Sequence, residues 1–371
     1  MDFDITDDQE ALIAAARAVL AKECPITFVR QVLEHDGSGE NDLWPRMVEL
    51  GWPALTVPVE LGGLGQGFVE QVLLFEELGR TVTPGPMLAT TTQFLPALEE
   101  GCTDEQQQRF IVPLCRGDLR GALAVSEVAG SWRPQDVRLS ALRRGGEWVL
   151  NGAKQTVVDG HLADEVVVAA RVDEGIGMFV VPAAAVDVTP VATLDATRPY
   201  ATLELRDVVV GADRVIGVPG QADMLLERAL DKAITTLAAE MVGTCQTIFD
   251  VTLQYAKDRV QFDRPIGSFQ AIQHKLADML IALEKARSTC YFAAMAIAED
   301  DPRRALAAAS AKAAAGECQR LIAKEGIQIH GGIAYTWEHD MHILVKRVKA
   351  ADALFGNTSE HHARIADLLG V

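Results

Sequence analysis

Residues 259–274 read RVQFDRPIGSFQAIQH, with two arginines, two phenylalanines and three glutamines gathered about a Pro-Ile-Gly break in an otherwise acidic chain. Long helical patterns run up to this stretch over 223–260 and away from it over 268–299. Proline cannot continue a helix and glycine permits a sharp change of direction, so the break predicts two helices joined by a short turn. Ser268 is expected to cap the second helix, whose N-terminus favours an anion. The guanidinium of Arg259, forked and permanently charged, suits a diphosphate, and the flat rings of Phe262 and Phe269 suit other flat rings. Taken by itself, the stretch equally suits a solvated helix-end arginine beside two core phenylalanines.

Outward from the break, the helical texture continues through 301–331 and 340–369, with small-residue faces such as ALAAASAKAAAG at 305–316 that suit close packing in a four-helix bundle. Between 121 and 218 the texture changes to short runs, ALAVSE, EWVLNG, EVVVAARV, GMFVVP and TLELRDVVVG, punctuated by Gly, Asn, Asp and Pro. Strands at that spacing predict a small β-barrel or sandwich. No GxGxxG follows a strand into a helix, which argues against a Rossmann site. The first segment reads as helices. Thr6 and Gln9 have capping-box spacing ahead of an apolar face through Leu12, Ala16 and Leu20. A loop follows at TVPVELGGLGQG (56–67), then a helix at VEQVLLFEELGR (69–80), with Gly79 as its expected stop. The fold class is therefore α+β, with an N-terminal helical domain over 1–119, a β domain over 120–221 and a C-terminal bundle over 222–371.

At 371 residues with 49% hydrophobic content, the chain is long enough for several domains, and its formal net charge of -18 argues against nucleic acid or an anionic membrane surface as a bulk partner. Six cysteines lie scattered without a CxxC pair, which predicts reduced, mostly buried thiols. The histidines form no set at metal-ligand spacing, so no metal is expected. The N-terminal stretch lacks the basic start and apolar core of a signal peptide, and no apolar run reaches membrane-spanning length, so the expected compartment is the cytoplasm.

The α, β, α layout and several motifs together resemble the acyl-CoA dehydrogenase family over essentially the whole chain. The carriers are TVPVELGGLG, EELGR, EWVLNGAK, YAKDRVQFDRPIGSFQAIQHKLADM and QIHGGIAYTWEHD, in that order. The resemblance implies FAD as cofactor, with Arg259 on its pyrophosphate and Phe262, Phe269 and Gln270 lining the dinucleotide. It likewise assigns Gln328, Gly331 and Gly332 of QIHGG, and Thr358, to cofactor binding, and implies that the arginine and QIHGG segments reach a neighbouring subunit's flavin. A dimer at least follows, with an acyl-CoA substrate and an electron-transfer flavoprotein as electron acceptor. The implied reaction desaturates a CoA thioester to the trans-2-enoyl-CoA.

Two departures from the family pattern matter. The base in many members is the Glu of a YEGTSE-like motif; here the stretch is FGNTSE (355–360), and the base position is Gly356. Some members carry the base on the helix that opens the last domain, where ITTLAAEMVGTCQTIF (234–249) holds one carboxylate, Glu240. Glu240 is the candidate catalytic base, and an isolated carboxylate there is expected to have a raised pKa. It lies about two turns, roughly 11 Å, from the register of the helix-borne base, near Ala233. The alternative is a structural glutamate paired with a cation. The second departure is TVVDG (156–160), where Thr156 replaces a ring-packing Trp and Val158 a flavin-bonding hydroxyl, while SEVAGSW (126–132) replaces a glycine-rich flavin loop.

The pyrophosphate half of the site is thus retained and the ring half altered. This resembles subunits of actinobacterial heteromeric acyl-CoA dehydrogenases that shorten steroid side chains, and implies a related partner chain in a heterotetramer; the alternative is a homo-oligomer with a variant flavin loop. A non-catalytic subunit completing a partner's FAD site and a flavin oxidase or monooxygenase remain as rival functions. His330 is expected to be packed or cofactor-adjacent. Lys346 and Arg347 are expected in a solvated surface network, Trp337 and Glu338 are expected to position their loop, and Glu338 or Asp340 faces the substrate entrance in the same reading.

Overall fold

The computed structural model describes residues 4–34 and 43–371. Helices occupy the first part, from Asp7–Glu23 to Val112–Cys115. The expected capping box is present: the Thr6 hydroxyl accepts from the Gln9 amide and the Gln9 side chain accepts from the Thr6 amide. The helix Phe68–Arg80 runs through Gly79 rather than stopping at it. That glycine answers to packing, because a Cβ on it would lie 2.1 Å from the Glu240 carbonyl oxygen.

The middle part forms an eight-stranded mixed sheet of β1 (Gly121–Ala124), β2 (Ser140–Arg144), β3 (Glu147–Val158), β4 (Glu165–Val172), β5 (Gly175–Pro182), β6 (Asp187–Val191), β7 (Tyr200–Val210) and β8 (Val215–Ile216). Its order is β6-β7-β3-β2-β4-β5-β8, with β1 parallel to β4. The two antiparallel halves join through one parallel pair, Ser140 with Arg171. Val, Leu and Ala side chains from both halves share one apolar cluster, with Leu150, Val168, Phe179 and Leu203 fully buried. Where a barrel or sandwich is expected, the strands form this mixed sheet about one apolar cluster.

From Asp223 the chain is helical, in Asp223–Asp258, Gln270–Ala298 and Arg304–His330, followed by the shorter Met341–Ala353 and Thr358–Leu369. The segment 340–369 is expected as one helix from its pattern, yet it divides at Phe355 (φ 60) and Gly356 (φ 93), where two successive left-handed residues turn the chain. Asn357 then caps the last helix in a second capping box with Glu360. Between the first two long helices, Val260–Gln261 (β9) and Arg264–Pro265 (β10) pair as a hairpin. Among the described residues no helix is long and apolar enough to cross a membrane.

The described residues fall into two compact units. One takes in 4–34, 68–83 and 234–371; the other takes in 43–67 and 84–233.

Candidate functional site

In the first unit the 259–270 motif is a surface structure. The two residues between β9 and β10, Phe262 (φ 54) and Asp263 (φ 61), both take left-handed backbone, the geometry of a type I′ turn that ordinarily selects Asn, Asp or Gly. Phenylalanine there is strained, and it is 86% exposed, so packing within the chain does not repay it. Its ring meets Phe269 edge-on at 6.1 Å, and the Arg264 guanidinium lies 4.1 Å from the Phe269 centroid. Arg259 and Gln270 are exposed, and among the described residues no ion pair engages the Arg259 guanidinium. Ser268 does not cap the following helix; its hydroxyl donates to the Pro265 carbonyl at 2.7 Å, and the N-cap is Phe269 without a side-chain bond.

The QIHGG segment closes the helix Arg304–His330. Gln328 is exposed. Gly331 has φ 68 and ψ -145, a conformation that excludes a side chain, whereas a Cβ on Gly332 would meet nothing within 4 Å. His330 is buried, with Nδ1 2.8 Å from the Gly326 carbonyl, its ring stacked on Tyr255 at 4.4 Å and edge-on to His339 at 4.8 Å. Burial and the neighbouring His339 hold its pKa below the usual imidazole value.

Thr358 lies apart from these exposed groups. It is 2% exposed, its hydroxyl donates to the Asp352 carboxylate at 2.9 Å, and a Cβ on Gly316 would fall 2.1 Å from that oxygen. Close by, the fully buried Lys312 donates to the carbonyls of Asp352 at 2.8 Å and Gly356 at 2.9 Å, fastening the turn at the family's base position. Burial pushes this ammonium down to about 8, against the attraction of Asp352 and Glu360.

Glu240 differs from its expectation as an isolated carboxylate. It is 3% exposed and Oε1 accepts from Arg347 Nη1 at 2.7 Å, while the same guanidinium donates to the carbonyls of Thr83 and Val82 at 3.3 Å. Arg347 is therefore a buried core residue, 1% exposed, rather than part of a solvated network; it shares the helical face of Leu344, Val348 and Ala351. Lys346, its neighbour, lies 4.5 Å from the Trp337 ring centroid. Asp340 is likewise engaged, by Arg30 at 2.6 Å. The helices around Glu240 cross very closely: a Cβ on Gly243 would sit 1.9 Å from the Glu76 carbonyl oxygen, and the Thr244 hydroxyl donates to the Gly79 carbonyl at 2.8 Å.

In the second unit, Thr156 takes left-handed backbone (φ 56) at an irregularity in the β3–β7 ladder, and Val158 is fully buried. The neighbouring loop is firmly built. The fully buried Lys154 donates to the Val125 carbonyl at 2.9 Å and to Glu127 at 2.7 Å, and Glu127 also accepts from the Leu139 amide at 2.9 Å and the Arg138 amide at 3.0 Å. Burial pushes the Lys154 ammonium down to about 8. The Ser126 hydroxyl is buried without a hydrogen-bond partner among the described residues.

A strained exposed phenylalanine, an unengaged arginine and a glycine that nothing in the chain requires all belong to one motif set, and whole-chain comparison agrees with it. An acyl-CoA dehydrogenase N-terminal domain model matches residues 6–118, and an acyl-CoA dehydrogenase C-terminal domain model matches residues 225–369. The chain belongs to the acyl-CoA dehydrogenase family. Acyl-CoA dehydrogenase IpdE2 of Mycobacterium tuberculosis is 32% identical over 355 residues, 95% of each chain. Among solved structures, butyryl-CoA dehydrogenase of Megasphaera elsdenii matches with a TM-score of 0.92 at 25% identity, covering 100% of both chains. A chain of the ChsE4-ChsE5 complex of Mycobacterium tuberculosis matches with a TM-score of 0.90 at 28% identity, covering 100% of this chain and 99% of that one.

Members of the acyl-CoA dehydrogenase family are FAD-dependent oxidoreductases. The residues present fit a dinucleotide: Arg259 is a free donor fork, Phe262 and Phe269 offer ring faces and edges, and the Gly332 backbone is open to a ligand. In the second unit by itself, the buried Ser126 hydroxyl, beside the altered 156–160 stretch, has no hydrogen-bond partner among the described residues. The hairpin, Arg347, Lys312 and Lys154 are the features that sequence reasoning missed. Arg347 alone had a sequence signal, its helical spacing with Leu344 and Val348.

Proposed function

We propose that this chain is one subunit of a heteromeric FAD-dependent acyl-CoA dehydrogenase that desaturates a bulky, steroid-type side-chain CoA thioester to the trans-2-enoyl-CoA. The observation that carries the reading is the contrast between the exposed, strained Arg259–Phe262 hairpin and the altered ring contacts at Thr156 and Val158. A chain that keeps the phosphate-binding half and changes the ring-binding half suits a flavin shared with a related, non-identical partner. One solved relative is a chain of a ChsE4-ChsE5 complex, an assembly of differently named chains, which supports that architecture.

FAD, when bound, supplies the two-electron acceptor for the β-carbon, and an electron-transfer flavoprotein takes the electrons onward. Arg259 and Gln270 hold the pyrophosphate and its surroundings, Phe262 and Phe269 cover flat surfaces, and Gln328 with Gly331 and Gly332 brings backbone close to the dinucleotide. The reaction needs a carboxylate whose lone pair meets the α-proton. Gly356 carries none, and Glu240 Oε1 is engaged by Arg347, so in this reading the partner chain supplies the base and Glu240 secures the helix crossing. A Glu240→Gln variant tests that division: a properly folded variant with abolished dehydrogenation returns the base to Glu240. Glycine in place of a side chain at 356 favours a bulky acyl group.

Co-purification from the native gene context, a flavin count per chain and a screen of CoA esters test the whole reading. The expected result is an assembly of two kinds of chain that reduces a dye with a bulky CoA ester. If this chain purified alone carries one FAD and reduces a dye with acyl-CoA, the heteromer is overturned.

A further inference from the structure

The two motifs that face the dinucleotide, 259–270 and QIHGG, lie on different helices, and one ring contact links them. Tyr255 stands one turn before Arg259, and its carbonyl accepts the Arg259 amide at 2.9 Å. The Tyr255 ring stacks on His330 at a centroid distance of 4.4 Å and an interplanar angle of 23°. His330 immediately precedes Gly331, and its Nδ1 is fixed to the Gly326 carbonyl one turn back at 2.8 Å. His339, whose Nδ1 accepts the Met341 amide at 3.1 Å, closes the other side of the imidazole edge-on. The ring is therefore held on three sides, although it occupies the last position of a helix, where fraying is normally greatest.

We infer that His330 is a positioning residue for FAD: its stack on Tyr255 locks the Gly331–Gly332 turn to the helix end that presents Arg259, so the two motifs meet the dinucleotide as one rigid clamp. The inference rests on the proposed contact of Arg259 with the FAD pyrophosphate. Physically, the clamp removes conformational freedom before the ligand arrives, and preorganisation of this kind strengthens binding by lowering the ordering cost of association. The Nδ1–Gly326 bond fixes the orientation of the imidazole, and the flat Tyr255 face fixes its distance. A neutral ring suits the task, and burial keeps it neutral.

The test is a double-mutant cycle on FAD affinity, with the apo-assembly titrated with FAD and flavin fluorescence quenching as the signal. Arg259→Ala, His330→Ala and the double variant are compared, together with His330→Phe, which keeps a ring on Tyr255 and loses only the Gly326 bond. His330→Ala is expected to weaken FAD binding about tenfold, His330→Phe to recover most of that loss, and the double variant to be little worse than Arg259→Ala alone. Additive losses, or His330→Ala with unchanged affinity beside a weakened Arg259→Ala, overturn the clamp. Unchanged affinity in Arg259→Ala overturns the underlying assignment of the phosphate contact instead. Should His330→Ala fail to fold, a His330→Phe variant that binds FAD as weakly as Arg259→Ala overturns the stacking role.

Discussion

The helix crossing at Glu240 lies within the long helix Asp223–Asp258 and the hairpin at Arg259 follows its end, and they treat charge in opposite ways. At the crossing, Glu240 and Arg347 are buried together and the guanidinium is further satisfied by the carbonyls of Val82 and Thr83. At the hairpin, Arg259 is exposed and a phenylalanine occupies a strained turn with its ring in solvent. A buried charge whose partners lie in its own chain belongs to the fold, while an exposed charge beside strain that the chain does not repay belongs to something the chain binds. The proposed ligand contact at Arg259 thus rests on what that residue lacks within the protomer.

The sharpest way to break this contrast is at the crossing. Arg347→Met leaves Glu240 buried without its guanidinium, and loss of one partner of a buried pair costs about 3–5 kcal/mol. The expected outcome is a large drop in the denaturant midpoint of the folded assembly, and a midpoint near that of the native protein overturns the structural role of the pair. Arg259→Ala is the opposite probe. Stability should change by less than about 0.5 kcal/mol, whereas FAD affinity should fall by about 1.5–3 kcal/mol, the worth of a charge-assisted bond. A loss of stability without a loss of flavin inverts the contrast.

Gly243→Ala sharpens the crossing itself. Its Cβ would collide with backbone at Glu76, so the helices must separate, and overpacking of this sort costs about 1–3 kcal/mol. Thermal denaturation checks it, and an unchanged midpoint would show that the crossing can open freely. A pH-dependent effect concerns Lys312, whose buried ammonium lies near 8 in the folded chain against about 10.4 unfolded. Between those values the unfolded state binds more protons, so this group makes stability rise with pH through that window. The native protein should gain on Lys312→Met between about pH 8 and 10.4 in paired denaturant titrations, and a difference that stays flat with pH contradicts the assignment.

Much of the fold is legible in local pattern. The Thr6–Gln9 capping box, the run EVVVAARV as β4 and the long bundle helices all follow from periodicity and cap chemistry. The misreadings share a cause, in that the deciding contact lies far away in sequence. Gly79 reads as a helix stop because its reason, the Glu240 backbone, is invisible locally. Arg347 reads as solvated because its charge outweighs the helical spacing that places it inward. The β9–β10 hairpin escapes because two-residue strands show no period, and its left-handed Phe262 contradicts turn preference. The motif residues Arg259, Phe262, Gln270, Gln328, Gly331 and Gly332 are all surface groups, as resemblance suggests for residues that reach a ligand or neighbour, while Thr358 is tied into packing with Asp352.

The close approach of Gly79 to Glu240 also has a meaning on the ribosome. The unit that contains it gathers 68–83 with everything after 233, so its first segments leave the exit tunnel well before the helix they must meet has been made. At about 5–20 residues per second the wait is on the order of 10–30 s. Throughout that interval Phe68–Arg80 can pack on Asp7–Glu23, made before it, but its Gly79 side lacks the long helix it will cross, while the strands of the other unit are emerging in sequence order. Protein synthesis itself thus creates a period of exposure in which a holdase would find its natural client surface on this one helix.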